Sequence, residues 1–459
     1  MIYTTDANGK QVINFDYYDS IGIFLTKEGF LQSINENIYA NYLCQTFDFV
    51  VRFEAQFFHY KDNYWQRLSD LKLKKILRNH LNGLVNDSWG AGIESQYLAA
   101  LIRECRSSDE LIPGDEYICL KNGLLHLDND FKFQPHNKNV FTTTQIPVTY
   151  NENAEPPCEL FKNFLRDVLE NDDELISVVS EIMGYALCSH SKAHKFFLFY
   201  GSGRNGKSVL LNLVSALVGK ENTTNIPLKS FNNSFELADI VDKKLNVSTE
   251  NEGTMLNTEK LKMISAGDPI LINPKNEKPF SYTPFVKLIF ATNSLPKAID
   301  TSDGFMERLL IVPFNKKFSY EPKEGEGLID PELFDKLLKE LDGIFVFALQ
   351  GLIRLTNKKF RFTQSSQVTK ALQQYQSIIN PFVNFIKSEL NIVENSSEHK
   401  STVYKKFKLW ASSQGYNHFA NISARQFYLD FEMNLKAQNV TFAIVKINGN
   451  KSYKGFTVN

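Results

Sequence analysis

The run Gly201-Ser202-Gly203-Arg204-Asn205-Gly206-Lys207-Ser208 has the spacing G-x-x-x-x-G-K-S. Its residue types suit one kind of chemistry. The glycines let backbone N–H groups curl around phosphate oxygens, and a helix starting at the end of the run adds a partial positive charge. Lys207 is then expected to reach the β- and γ-phosphates of a nucleoside triphosphate. The Ser208 hydroxyl helps hold Mg²⁺, and Val209 is the next residue of the cradle. Hydrolysis further needs a carboxylate at the tip of a neighbouring strand, to hold metal and orient water. "KLNVSTENEG" offers Glu250 and Glu252, and Glu250 is preferred because it comes first after the apolar run. Asn293 closes "LIFATN", where a polar side chain would sense the γ-phosphate. Arg308 lies fifteen residues beyond Asn293, just before another apolar run. From there it could project into a neighbouring subunit's site and neutralise transition-state charge, although a surface ion pair is the plainer reading of any lone arginine.

These residues need a frame. "KFFLFYGSGRNGKSVLLNLVSALVGK" passes from an apolar strand through the glycine-rich turn into a helix ended by Gly219. "KLNVSTENE", "FVKLIFATN" and "RLLIVPF" are apolar runs of strand length ending in polar residues. Strands buried on both faces read this way, so a parallel α/β sheet covered by helices is expected. "GDPILINPKNEKPFSYTP" reads as a hairpin that leaves its sheet and projects. Pro274 and Pro279, which cannot donate to a ladder, bracket its tip Lys275-Asn276-Glu277-Lys278.

Ahead of this core, "HYKDNYWQRL" reads as strand–turn–strand with Asp62-Asn63 at the turn. "YICLKNGLLHLDNDFKF" reads as a hairpin turning at Asn129-Asp130, and "PPCELFKNFLRDVLENDDELISVVSEIMGYALCS" as two helices. Behind the core, the polar run at 394–401 reads as a linker. Two helices follow, at 403–414 and 423–437, then two strands joined by "NGNK". Helices followed by a β-hairpin suggest a winged helix. From Lys400 onward nine Lys/Arg face two acids, a net +7, whereas the whole chain carries −1; residues 1–399 therefore carry −8. A basic module on an acidic body suits contact with nucleic acid, although a basic tail can also be merely solvated.

Hydrophobic content of 43% and charged content of 22% are ordinary for a globular protein, and no apolar run approaches membrane-span length. The N-terminal run has neither the basic flank nor the apolar stretch of a signal peptide, so a cytoplasmic protein is expected. Cys44, Cys105, Cys119, Cys158 and Cys188 are scattered and form no C-x-x-C pair. They read as separate thiols of a reducing compartment, and zinc is not indicated.

The order "GSGRNGKS", "STENE", "KMISAGDPI", "LIFATNSLP", "ERLLIVPF" resembles the superfamily 3 helicases, specifically the phage and plasmid primase-type helicases. Upstream, "LKNGLLHLDN" and "NVFTTTQIPVTYN" resemble the accessory region preceding the ATPase in that family, so the likeness spans roughly residues 50–390. The chain is also similar to replication initiators of phages and phage-related mobile elements. The resemblance implies a P-loop core of AAA+ type in a homo-hexameric ring that encircles one DNA strand. ATP and Mg²⁺ would sit between subunits, with Arg308 a finger in trans to Lys207, Ser208, Glu250 and Asn293. Lys195 and Lys262 match family positions near phosphate. The projecting hairpin would line the channel, Lys275, Asn276 and Lys278 holding DNA phosphates; Phe280 would pack beside a sugar or base, or anchor the hairpin foot. Many relatives carry Ser-Glu where this chain has Ser248-Thr249, which leaves Glu250 and Glu252 both open as the metal-side carboxylate. The segment preceding the accessory region is short for a primase domain and no paired-aspartate signature is legible, so primer synthesis is not expected.

The expected architecture is therefore α/β: a mixed N-terminal accessory domain at 1–150, a helical collar at 151–190, an ATPase at 191–390 and a winged-helix domain at 400–459. In the last, Arg425, Gln426 and Tyr428 would face a groove of an origin duplex, with Lys446, Lys451 and Lys454 on the wing; docking of a protein there is the competing reading. The expected function is an ATP-dependent replicative helicase acting on single-stranded and forked DNA. The alternative is an initiator that uses ATP only as an assembly switch.

Overall fold

The computed structural model describes residues 1–459 apart from 54, 129, 233–235, 250–254, 257, 276–277 and 299–301. The chain forms two compact units. One comprises residues 1–154, 187–190 and 217–222; the other holds the rest. Among the described residues no helix is long and apolar enough to cross a membrane.

In the first unit, the helix Asp70–Leu84 starts at Ser69, whose Oγ accepts from the Lys72 N–H at 3.3 Å. Its Leu73, Leu77 and Leu81, at helical spacing, share a core with Phe49, Val51 and Phe57. Those three belong to a four-stranded sheet ordered Tyr64–Arg67, Gln56–Lys61, Phe49–Arg52, Arg106–Ser107. The turn at Asp62-Asn63 is present, both residues adopting positive φ (54° and 71°). The hairpin expected over 117–133 is instead a three-stranded meander, Tyr117–Leu120, Gly123–His126 and Phe133–Gln134. Its first turn falls at Lys121-Asn122, where the apolar runs on either side left the break easy to read through; Asn129 of the second lies outside the described residues.

The cysteine reading is corrected in the same unit. Cys44 and Cys105, separated by 61 positions, form a disulfide with Cα atoms 5.6 Å apart. Cys44 lies on the helix Glu36–Phe47 and Cys105 directly follows Ala91–Glu104. Packing of these helices brings together two residues that spacing kept apart. Cys119, Cys158 and Cys188 remain buried thiols.

The second unit opens with helices α1 (Glu159–Val168) and α2 (Asp173–Ala186). The strands β1 (Phe196–Tyr200), β2 (Thr223–Thr224), β3 (Leu245–Ser248), β6 (Lys287–Thr292) and β7 (Leu309–Pro313) form a wholly parallel sheet in the order β2-β3-β6-β1-β7. Helices α3 (Lys207–Val218) and α4 (Thr258–Ala266) and a separate antiparallel hairpin, β4 (Ile270–Ile272) with β5 (Phe280–Tyr282), occur between them. The four longer sheet strands are buried almost throughout, as their unbroken apolar runs require. From β1 the chain crosses to β2, returns through β3 and β6 to one flank of β1, then adds β7 on the other. The order thus reverses beside β1, and ligands of open α/β sheets bind outside the carboxyl ends at such a point.

Helix α5 (Leu341–Asn357) lies against α2 at backbone range. A Cβ on Gly351 would fall 2.2 Å from the Ser180 carbonyl oxygen. Glu181, fully buried on α2, accepts from Arg354 Nε at 2.9 Å and from the Thr363 N–H and Oγ1 at 2.7 and 2.6 Å. A buried carboxylate needs this complete a set of donors.

After α6 (Ser366–Ile379), the chain builds α7 (Pro381–Glu389), β8 (Leu390–His399), α8 (Lys400–Ser413), α9 (Ala424–Ala437), β9 (Ala443–Ile447) and β10 (Asn450–Val458). Phe382 and Phe385 of α7 pack with Phe407, Phe427, Phe431 and Tyr453, and β8 pairs antiparallel with β10, which pairs with β9. The polar run at 394–401 is therefore not a linker. Most of it belongs to β8, an edge strand whose side chains are mostly exposed and so carry no apolar alternation. The packed module includes residues 381–399, and the Asn380 side chain caps its first helix.

In denaturant without reductant, a thiol assay is expected to titrate three groups, and five after reduction. Closing a loop of 61 positions should contribute on the order of 4 kcal/mol to stability. Five reactive thiols at the outset would remove the cross-link.

Candidate active site

The glycine-rich run begins where β1 ends and stops where α3 begins, at the carboxyl edge of the parallel sheet. Gly203, Arg204 and Gly206 take positive φ (94°, 49° and 80°). Such alternation turns successive N–H groups toward one centre. Arg204 holds this uncommon backbone with its carbonyl accepting from the Phe318 N–H at 2.7 Å. Gly206 is tightly backed: a Cβ there would lie 2.5 Å from Val168 Cγ1 on α1. Ser202, Arg204 and Ser208 are exposed, with Val209 half-buried at the start of α3.

Lys207 is 5% exposed, yet its ammonium donates to three oxygens. The acceptors are the Gly201 carbonyl at 2.7 Å, Asn205 Oδ1 at 2.9 Å and Asn293 Oδ1 at 3.4 Å. Asn205 Nδ2 donates to the Phe314 carbonyl at 3.1 Å, which turns its Oδ1 toward the lysine. Among the described residues these acceptors are neutral, and burial pushes the ammonium down to about 8. A site of this kind fits a polyanion: a triphosphate would supply the negative charge, and the N–H groups of the loop would face its oxygens. Glu250 and Glu252 lie outside the described residues, two and four positions beyond the end of β3.

Arg308 is brought to the other end of the sheet. Tyr200 is paired with Pro313 at the loop edge and Phe196 with Leu309 at the opposite edge. Arg308 precedes Leu309, so about 16 Å of strand separates it from its own loop. Its Nη1 donates to the Gly304 carbonyl at 2.7 Å, while its buried Nε has no hydrogen-bond partner. Beside it, Lys195 donates to the Glu307 carbonyl, and burial lowers its ammonium from the ordinary value, Arg308 adding to the effect. Sequence reading missed a further cation of this row: Lys287, the first residue of β6, is 2% exposed and lies over the Tyr185 ring at 4.7 Å. An apolar-flanked lysine at a strand start was the available signal. Lys262 is half-buried on α4.

The hairpin is present as its own two-stranded sheet. Ile270, Ile272 and Tyr282 are buried at its foot with Leu261 and Ile264 of α4. Phe280 is half-buried against the same cluster, which suits the anchoring role of the two considered. Lys275 and Lys278 are exposed; Asn276 lies outside the described residues.

In the C-terminal module, Arg425 and Gln426 are exposed on α9, but Tyr428 turns inward. Its ring packs against Tyr404 and Phe427, with Lys400 Nζ 4.5 Å above it. The expectation that Tyr428 faces a groove is corrected: its apolar body completes the core stripe. Lys446 and Lys451 are direct cross-strand partners on the β9–β10 hairpin and both are exposed. Like charges so placed repel unless an anion lies between them. Lys454, three residues on, falls on the other face by strand alternation.

The chain is similar to several known proteins. Residues 40–170 match a family model described as D5 N terminal like, and residues 199–308 match a family of unknown function, DUF5906. "Putative helicase L207/L206" of Acanthamoeba polyphaga mimivirus is 24% identical over 321 residues, covering 64% of this chain and 33% of the relative. "Putative helicase 184R" of Invertebrate iridescent virus 6 is 23% identical over 392 residues (76% and 40%). "Putative primase C962R" of African swine fever virus (isolate Warthog/Namibia/Wart80/1980) is 22% identical over 402 residues (75% and 41%). The chain thus spans about two fifths or less of the length of these relatives. Among solved structures, the A form of the apo NrS-1 C-terminal region has the same fold, with a TM-score of 0.52 at 12% identity over 93% of this chain and 100% of that one. These likenesses make the chain similar to viral proteins named putative helicase or putative primase.

The lowered Lys207 sets a pH dependence. Below about 8 the ammonium is already protonated in the free protein; above it, anion binding must take up a proton. Affinity for a nucleoside triphosphate is expected to hold between pH 6 and 7.5 and to fall roughly tenfold per unit above pH 8.5. Titration calorimetry in two buffers of different ionisation heat reads the proton directly. A flat profile through pH 9.5 would mean that the ammonium does not meet the anion.

Proposed function

We propose that this chain is an ATP-hydrolysing DNA helicase of the superfamily 3 type, working in DNA replication as a homo-hexameric ring. One observation carries the reading. Lys207 and Asn293 stand at the carboxyl edge of the parallel sheet, and Lys195 and Arg308 at its amino edge. A single copy cannot join these two sets, whereas neighbouring copies set edge to edge could complete one site. The strand order, read along the chain as second-third-fourth-first-fifth, is that of AAA+ cores and supports the same view.

In this reading the loop N–H groups and Lys207 bind and orient the triphosphate, and Ser208 with Glu250 would hold Mg²⁺, which supplies charge neutralisation at the phosphates. Asn293, hydrogen-bonded to Lys207, reports whether the terminal phosphate is present. Arg308 of an adjacent copy, with its unsatisfied Nε, neutralises charge in the transition state. Hydrolysis then shifts the hairpins whose Lys275 and Lys278, with Asn276, grip the backbone of single-stranded or forked DNA without reading sequence. Primer synthesis forms no part of the proposal.

The C-terminal module is proposed as a winged helix, its sheet order β8-β10-β9 and tripartite helical core supporting this. Its wing would meet the backbone of an origin duplex through Lys446 and Lys451, with Lys454 on the other face of the hairpin. For α9 an observation favours a second reading. Leu429 and Met433 are 59% and 63% exposed and follow Arg425 at i+4 and i+8. Exposed Arg425 and Lys436 (i+11) bracket this apolar pair, so the face joins an apolar centre to cationic ends and suits a protein partner better than a DNA groove.

Replacing Lys275 and Lys278 together by alanine is expected to abolish strand displacement while basal ATPase stays within about twofold of the parent. Equal loss of both activities would reject the channel role. Co-assembling Arg308→Ala with Lys207→Ala chains should change turnover non-linearly with the mixing ratio, because some interfaces regain one intact site. A strictly linear titration would rule out shared sites. If the protein is only an assembly switch, DNA will not stimulate turnover and no strand will be displaced.

A further inference from the structure

We propose that the cleft between the carboxyl ends of β1 and β7 and the polar face of α6 is the subsite for a purine base of the bound nucleotide. The inference rests on the reading of Gly201–Ser208 as a triphosphate cradle and adds what that reading leaves open: which end of the site takes the base, and by what chemistry.

The cleft has a volume of about 550 Å³, within the roughly 300–1,000 Å³ usual for small-molecule sites. Tyr200 and Asn315 line it from the strand ends, and Gln367, Lys370, Gln374 and Ser377 from α6. Those four helical positions follow at i, i+3, i+7 and i+10, one face of the helix. The other face gives Tyr375 and Ile379 to the core, and Ala371, at the border, touches both core and cleft. Helix α6 is thus divided: its apolar residues hold it against the sheet, and its carboxamides are left facing a hollow.

Direction follows from the loop. Lys207 meets Asn293 on the β6 flank of β1, which marks where the terminal phosphate belongs. On the other flank the exit of β7 runs beside the loop, Phe314 N–H donating to the Tyr200 carbonyl and Phe318 N–H to that of Arg204, both at 2.7 Å. A nucleotide seated with its last phosphate at Lys207 and Asn293 therefore points its base toward β7, where the cleft opens. No acid is among the cleft residues to repel the phosphates.

The lining suits a base. A carboxamide presents a donor and an acceptor side by side, the pattern that matches the amino group and ring nitrogen of adenine. Tyr200, directly before Gly201, offers a ring face on which the larger two-ring base stacks better than a pyrimidine. Lys370 is free to lie near the ribose end.

Calorimetric affinities of the full chain for ATP, UTP and inorganic tripolyphosphate test this, in the parent and in an Asn315→Leu/Gln374→Leu variant. Both side chains are exposed, so folding should survive; an altered melting curve would move the measurement to Gln367→Leu. The parent is expected to bind ATP at least tenfold more tightly than UTP. In the variant that ratio should fall below threefold, with tripolyphosphate affinity unchanged. Equal binding of ATP and UTP by the parent, or an undiminished ratio in the variant, would overturn the base subsite while tripolyphosphate binding keeps the cradle standing. Failure to bind tripolyphosphate at all would overturn the cradle and the subsite with it.

Discussion

The second unit is organised around one electrostatic demand: an ammonium group, that of Lys207, buried at the carboxyl edge of a parallel sheet and held, among the described residues, by three neutral oxygens. Each neighbour answers to it. Asn205 is turned by Phe314, and Asn293 is set at the tip of β6. The backbone of 203–206 takes conformations that cost free energy unless something holds them. Helix α1 supplies the holding, pressing Val168 against Gly206, while Lys316 on the flanking segment pairs with Asp167 of the same helix. The result is a loop whose shape exists before any anion arrives. Preorganised donors of this kind need no rearrangement when charge is delivered.

The same sheet keeps a second set of cations as far from the first as a strand allows. Lys195, Lys287 and Arg308 are neighbours across β1, β6 and β7 at the amino edge. Burial is what chiefly lowers the Lys195 ammonium; Glu307 opposes the shift and Arg308 adds a smaller push in the same direction.

A comparable tension recurs in the C-terminal module. Lys446 faces Lys451 across the hairpin, and the helix beside it exposes Leu429 and Met433. The two surfaces differ in character, one suited to phosphate and the other to an apolar contact.

Local chemistry was legible in the sequence because it depends on residues close together in the chain. The glycine-rich loop, the apolar strands, the projecting hairpin and the Asp62-Asn63 turn all follow from short-range rules of backbone freedom and burial. What needed the tertiary structure was anything decided by distant segments. The Cys44–Cys105 bond joins positions 61 apart, and packing alone brings them together. The edge strand β8 is too polar to show alternation, so it read as a linker until β10 paired with it. Tyr428 has an apolar ring and a polar tip, so its type suits either side of its helix, and only the core decided that it faces in. Most of all, the strand order was not written in any run of residues. It is the parallel register that sends Arg308 and Lys207 to opposite edges, because side chains at the two ends of neighbouring parallel strands cannot meet.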